Sequence, residues 1–553
     1  MKFNPGTLFP KSSFGKIIGV LITATIDAVF SGNNSYNNII GSTLSVLPGK
    51  YNSIDGLLNF FTSDYLTQSQ FDSLGVTISG MIGCMVKDTD PGLKEDNNVT
   101  LCCSGPVKVV PTVEDYRLPS QLDVTFGNKT DSTRNINWFT KYSVTGTDIE
   151  IVPYSKSPVF TGVPTTGAGI SRTSEKVIRS VPGVDFGITG FLYYNFTLVR
   201  HEIKLTGLTA GKKYSYRVGD ASKGWWSPPG VIETANDSNS FTFFHMSDPQ
   251  AQDELQYETW ASVVKAAYHL YPQGKFIMST GDLTDNSANV KQWKWLLNTA
   301  SANLINTVLM PTTGNHEETN YADDQNFILP DAPKQDRSSG VFYSFDYDNA
   351  HFIVLNTNNL SSANNLSADQ INWLKADAAA SKAQWKIVAL HKAMYSNGSH
   401  YNDKDVDAIR SQLCSLLPEL GIDLVLEGHD HVYLRTDAMS GNKVVASQTK
   451  VTTYNGSTYT EKLEPKGTVY AISACAGVKF YLPKSNLVTD LLFPRAQKIV
   501  SVTIPVFSAI QINGNNLYFD AYTVDGSKTK KIDSFAIEKT AVTAANAVRH
   551  SAA

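Results

Sequence analysis

Cysteine is scarce in this chain: 5 in 553 residues, with no Cys-x-x-Cys pair. That excludes a disulfide-built scaffold and a thiolate zinc site. Positive charge is not in excess either, since 47 Lys and Arg face 51 Asp and Glu for a net charge of −4. No basic stripe interleaves with aromatics, so no nucleic-acid polymer is expected as a partner. Long apolar runs are missing too. The stretch Ile17 to Ala24 is far shorter than the roughly 20 residues a membrane-spanning helix needs, so no membrane span is expected. Repeats and low-complexity tracts are absent. What remains is an ordinary folded chain, 42% apolar and 18% charged, and too long for one core.

The cysteines that are present fall into two kinds. Cys84 lies near Cys102 and Cys103 in sequence, and one bridge among them fits an oxidising compartment. Cys414 and Cys475 sit in apolar contexts and read as inert core thiols. Lys11 and Lys16 precede the apolar run at residue 17. Residues 1–35 therefore read either as a signal or leader or as a strand of a folded N-terminal segment. Asn-x-Ser/Thr triplets at Asn33, Asn98, Asn128, Asn195, Asn236, Asn359, Asn365, Asn397 and Asn455 lean towards a secreted, extracellular or lysosomal-vacuolar glycoprotein.

Residues 36–104 are an uncharacterised N-terminal segment. From 105 to 235, short alternating strands separated by turn residues predict a β-sandwich, as in 122–126, 136–140 and 197–205. The run 208–218 reads as its tyrosine-corner strand, and Trp225 to Pro229 as its exit. Beyond Ser240 the pattern becomes α/β. Buried strands are expected at 241–246, 275–278, 307–310, 385–390 and 422–426, with helices near 255–271, from Ser367, and over 405–420. Ser367-Ala-Asp-Gln370 is a capping box. After Gly467 strands return, and Asp525-Gly526 signals a hairpin. A tail follows, 541–553.

The chemistry gathers at the strand ends. Leu424-Val-Leu-Glu-Gly-His-Asp-His431 is a buried strand that turns at Gly428 and presents two histidines, and imidazole is the commonest metal ligand near neutral pH. Four more strand tips carry polar residues: Asp248-Pro-Gln250, Gly281-Asp282-Leu-Thr-Asp285, Gly314-Asn315-His316-Glu317, and His391. Ligands of open α/β sheets collect beyond the carboxyl ends of the strands, so these tips should converge. The lone histidines His245, His269 and His351 read as satisfied core residues, and His201 and His550 as bland.

This order of motifs resembles the calcineurin-like metallophosphoesterase superfamily, and within it the purple acid phosphatase branch with its fibronectin-like N-terminal domain. The resemblance covers roughly residues 115–540 and includes Tyr343-Ser-Phe-Asp346, the stretch 351–356 and Lys479-Phe-Tyr481. It implies a fibronectin type III-like sandwich followed, over 241–540, by a four-layer α/β/β/α domain. It also implies two metal ions (Fe, Zn or Mn) about 3.5–4 Å apart, clamping a phosphoryl group. Asp282 would bridge them, Asp248 and His431 would hold the first, and Asn315, His391 and His429 the second. His316 would protonate the leaving group. His400 would contact the phosphate, with Tyr395 a weaker candidate for the pocket wall.

Two departures stand out. Asp285 occupies the place of the branch's iron-binding tyrosine, so no purple band is expected; Asp285 itself either ligates or accepts hydrogen bonds beside the site. Gln250 stands where other superfamily members have a histidine ligand, and either ligates, directly or through water, or lines the pocket. The expected function is hydrolysis of phosphate monoesters, acid phosphatase-like, by a metal-bound hydroxide on a small phosphorylated substrate. The alternatives are a phosphodiesterase or nucleotide pyrophosphatase on the same site, and a surface binding or adhesion protein whose catalysis has lapsed. The sequence leaves oligomeric state open.

Overall fold

The computed structural model describes residues 117–182, 193–317, 326–330, 339–484 and 496–540. The leader, the segment 36–104, the tail, Asn33, Asn98, His550 and the cysteines at 84, 102 and 103 lie outside the described residues. The chain divides into two units, 1–115 with 180–196, and 116–179 with 197–553. The first lies almost wholly outside the described residues, and the contacts below are those of the second.

Two four-stranded sheets form the sandwich. One orders Ser120–Phe126, Arg134–Lys141, Tyr193–Leu205 and Ile170–Pro182. In the other, Lys213–Asp220 pairs with Asp148–Pro153 on one side and with Trp225–Trp226 and Gly230–Glu233 on the other. The expected exit at Trp225 is thus still strand, and the chain leaves only after Glu233. Alternation along Arg134–Lys141 sends Ile136 and Trp138 into the apolar core. It sends Asn135 and Asn137 to the opposite face, where their amides donate to the carbonyls of Ile328 and Asn326 at 2.9 and 2.8 Å.

Beyond the sandwich two sheets lie face to face. The first orders Val308–Pro311, Phe276–Ser279, Ser240–Met246, Val506–Asn513, Asn516–Asp525, Lys528–Glu538, Ser457–Leu463 and Gln448–Tyr454. The second orders Tyr343–Tyr347, Ala350–Val354, Trp385–Lys392, Leu424–Gly428, Val469–Ser473, Tyr433–Thr436 and Ala496–Val500. Phe243, Phe276, Phe352, Ile387, Leu426 and Ile510 belong to the core between them. Helices Glu254–Leu270 and Val290–Thr299 cover the outer face of the first sheet, and Ala368–Ala380 and Lys404–Leu413 that of the second. This is the α/β/β/α stack the resemblance implies, in which each sheet buries both faces.

Local signals fix most element ends. Ser367 Oγ accepts from Gln370 N–H at 3.3 Å and starts its helix. The expected capping box is only half made, since the Gln370 side chain bonds the Asn356 backbone and the Ser367 N–H donates to Asn359 O. The helix expected over 405–420 is instead two, Lys404–Leu413 and Leu416–Glu419. Pro418 explains the break, since its ring clashes with the carbonyl four residues back, at Cys414, and it has no N–H to give. Helix Val290–Thr299 goes unforeseen; Trp293, Leu296 and Leu297 are its buried face, diluted in sequence by Lys, Gln and Asn. Among the described residues no helix is long and apolar enough to cross a membrane.

Burial corrects smaller expectations. Asn397 is fully buried, so its triplet offers no glycan acceptor in the folded chain. His269 is exposed rather than a core residue. His245 and His351 are buried and hydrogen-bonded, the first between Thr280 and Ser473 hydroxyls at 2.9 Å each, the second between Asp346 and Asp377. Cys414 and Cys475 are buried free thiols.

Candidate metal centre

The parallel strands Ser240–Met246, Phe276–Ser279 and Val308–Pro311 of one sheet, and Trp385–Lys392 and Leu424–Gly428 of the other, end at one place. Their tips carry backbone strain. Asp248, Asp282 and His429 adopt left-handed φ of 52°, 49° and 69°, rare for residues with a Cβ and typical of functional sites. Gly428 serves close approach rather than the turn itself: a Cβ there would lie 2.3 Å from Ser247 Oγ and 2.9 Å from Asp248 Oδ2. At Gly314 a Cβ would lie 2.2 Å from both the backbone nitrogen and Oδ1 of Asp282.

Two groups of donors result, sharing Asp282. One ligand atom each from Asp248, Asp282 and His431 lies within 4.8 Å of the others, and the same holds for Asp282, His391 and His429. All five are buried. Asn315 joins the second group, its Oδ1 2.9 Å from His391 Nε2. Backbone carbonyls orient the rings. His391 Nδ1 donates to Thr280 O at 2.7 Å and His431 Nδ1 to Lys479 O at 2.8 Å. A carbonyl can only accept, so Nδ1 carries a hydrogen and Nε2 is the nitrogen left to face inward, the arrangement of a ligating histidine. His391 Nε2 is 3.2 Å from Asp282 Oδ1, and His431 Nε2 is 3.3 Å from Asp248 Oδ1.

The electrostatics are those of a place built for positive charge. Burial opposes ionisation of Asp282, yet His391, His316 and His429 hold its carboxyl well below the usual range. Burial likewise disfavours charging His391, but Asp282 and Asp248 raise it to about 9. Burial, with His391 and His400 alongside, holds His429 far below its ordinary value. Gln250 Oε1 is buried without a hydrogen-bond partner, an unmet lone pair worth about 1–3 kcal/mol. Two carboxylates, three imidazoles and amide oxygens around one shared aspartate fit a pair of metal ions; their mixed N/O character suits iron, zinc or manganese without choosing among them.

The remaining candidates divide. His316 donates its backbone N–H to Asp282 Oδ1 at 3.0 Å and its Nδ1 hydrogen to Asp285 O at 2.7 Å, leaving Nε2 3.8 Å from Asp282 Oδ2. His400 stands at the mouth, ring centroid 4.1 Å from that of His429, with Nδ1 2.8 Å from Asp403 Oδ2. Gln250 is 1% exposed and its Nε2 donates to Asp282 Oδ2 at 3.2 Å. Asp285 is in neither donor group; it pairs with Lys479 and accepts from Gln252 at 3.3 Å. Tyr395 is no pocket wall. It is fully buried in the core under the second sheet, its hydroxyl donating to Asn442 Oδ1 at 2.6 Å.

Sequence reasoning missed the supports. Glu317, 1% exposed, accepts from the N–H groups of Thr284 and Gly314 at 3.0 and 3.1 Å and so ties two tips together. The Tyr481 ring stacks on His431 at 4.4 Å and 5°. The carbonyls of Thr280, Lys479 and Asp285 that set the ring tautomers carry no signal, since every residue has a carbonyl.

Comparison with known proteins agrees with this geometry. Residues 119–234 match the family described as purple acid phosphatase, N-terminal domain, and residues 241–433 the calcineurin-like phosphoesterase family. Purple acid phosphatase 21 of Arabidopsis thaliana is 24% identical over 265 residues, 44% of this chain and 55% of the relative. Phosphoenolpyruvate phosphatase of Allium cepa is 26% identical over 275 residues, 46% and 54%. The chain thus spans about half the length of these curated relatives. In fold it is similar to purple acid phosphatase PPD1 from yellow lupin, with a TM-score of 0.60 at 16% identity over 76% of this chain and 75% of that one. The chain therefore carries a purple acid phosphatase N-terminal domain followed by a calcineurin-like phosphoesterase domain.

Proposed function

We propose that the protein hydrolyses phosphate monoesters at a two-cation centre in which Asp248, Asp282 and His431 hold one ion and Asp282, Asn315, His391 and His429 the other. The observation that supports this most is the sharing of buried Asp282 by both donor groups. When bound, such a pair polarises phosphoryl oxygens and acidifies coordinated water. The chain's own residues supply the rest. His316 Nδ1 is committed to the Asp285 carbonyl, so its Nε2 is the atom free to deliver a proton to the leaving oxygen. His400, steadied by Asp403, offers a donor at the mouth for a phosphate oxygen. Ser247 Oγ and the His429 N–H, at 3.1 Å, fix the Asp248 carboxylate, so the cage is set before substrate arrives.

A phosphodiesterase would use the same cage. Turnover of p-nitrophenyl phosphate against bis-p-nitrophenyl phosphate separates the two: the monoester should be preferred, and a clear diester preference overturns the proposal. The complete donor set supports an active centre over a lapsed one. A secreted or vacuolar setting belongs to the same proposal, supported by exposure of Asn128, Asn236 and Asn455 in their acceptor triplets.

A further inference from the structure

The first donor group has three obvious members, Asp248, Asp282 and His431, against four in the second. Asp285, three residues past Asp282, is a further carboxylate, yet both its oxygens are engaged elsewhere. Oδ1 pairs with the Lys479 ammonium and Oδ2 accepts from Gln252 Nε2 at 3.3 Å. The two backbones are also in use: Asp285 O holds His316 and Lys479 O holds His431. Turning Asp285 inward would break the ion pair that joins the two residues supplying those carbonyls. Gln250 is placed differently. It is 1% exposed, its Nε2 is 3.2 Å from the shared Asp282, and its Oε1 has no partner. A buried amide oxygen left unmet beside a bridging carboxylate is a donor in want of a cation.

Resting on the dimetal reading above, we infer that Gln250 Oε1 is the fourth protein donor to the first cation, that Lys479 withholds Asp285 from it, and that the site therefore takes a divalent ion. Each cation then has four protein donors, one of them an amide oxygen: Gln250 for the first, Asn315 for the second. Only two anionic side chains serve both ions, and one of them is shared. With every other donor neutral, an ion of charge +3 would be left undercompensated in a buried site, whereas two divalent ions suit mixed N/O donors. Asp285, neutralised by Lys479, adds no net negative charge to offset a third unit on the ion.

The test counts metal on the full chain after chelation and dialysis against Mn2+. The unaltered chain should take up two equivalents; uptake of none overturns the dimetal reading itself. Gln250→Leu should keep one and bind the other at least about tenfold more weakly, the lower end of what losing even an outer partner of a ligand costs. Gln250→Glu, which keeps size and an oxygen donor, should hold both. Asp285→Asn should also hold both equivalents, because the variant keeps the backbone carbonyl that His316 uses. Wild-type binding by Gln250→Leu, or loss of an equivalent in Gln250→Glu, overturns the role of Gln250. Loss of one in Asp285→Asn makes Asp285 the ligand instead. Displacement of Mn2+ by Fe3+ at equal concentration overturns the divalent assignment.

Discussion

One hydrogen bond decides what His316 can do. With Nδ1 tied to the Asp285 carbonyl, Nε2 alone faces the site, and the ring reaches no donor group except through Asp282 at 3.8 Å. His316→Ala should therefore leave both cations bound while kcat falls by about two to four decades, the span of a lost proton donor. Equal loss of metal in that variant would show the ring to be a ligand. Gly428 makes the opposite case. Gly428→Ala places a methyl against Ser247 Oγ and Asp248, so metal affinity and activity should fall together; binding of two cations at wild-type affinity would contradict the crowding seen there. The convergence of these strand tips was legible because Asp and His are seldom left at the end of an apolar strand without a task. The fate of Asp285 was not, since its partner Lys479 lies far off in sequence and only folding brings them together.

Elements were legible where period and caps agree. Helix Ala368–Ala380 announces itself through Ser367, and Ser367→Ala should lower stability by about 1 kcal/mol, read from chemical denaturation. Helix Val290–Thr299 was hidden because polar residues interrupt its apolar face, and one of them, Gln292, is itself buried. His351 joins strand to helix: its two nitrogens reach Asp346 on one side and Asp377 on the other, at 2.7 and 2.9 Å. Burial works against its charged form, but the two carboxylates raise it to about 9. Unfolded, it titrates near 6.5. The folded value is the higher one, so the stabilisation is complete below about pH 6.5 and disappears as pH climbs through 9. Its size should be on the order of 2 kcal/mol, reduced because Asp346 is largely solvated. His351→Gln should thus lower the melting temperature at pH 6 and change it little at pH 10. A loss equal at both pH values would mean the ring acts by packing alone.

At the scale of the molecule, the sandwich is continuous with the α/β/β/α layers. Phe126 of its first strand sits 5.3 Å from the rings of both Phe276 and Phe345, inside the core between the two large sheets. Asn135 and Asn137 anchor 326–328, the chain that follows the His316 tip. Sequence read the sandwich and the stack as successive domains and said nothing of this shared core, because pairing between distant rings leaves no periodic trace. Calorimetry should show one transition for both, lowered as a whole by Phe126→Ala, a change of about 3–5 kcal/mol for a buried aromatic. Two separate endotherms, with only the first moved, would contradict it.

The same convergence of distant segments makes the cage. Asp282 belongs to both donor groups, so removing its charge should dismantle the pair rather than one half. The decisive measurement is metal content per chain, by mass spectrometry, for the chelated and reloaded protein beside Asp282→Asn, with p-nitrophenyl phosphate turnover on the same samples. Two ions and turnover in the first, with fewer than one ion and no turnover in the second, is the expected result. A variant that still binds two ions and turns over at the wild-type rate would contradict a centre bridged by Asp282.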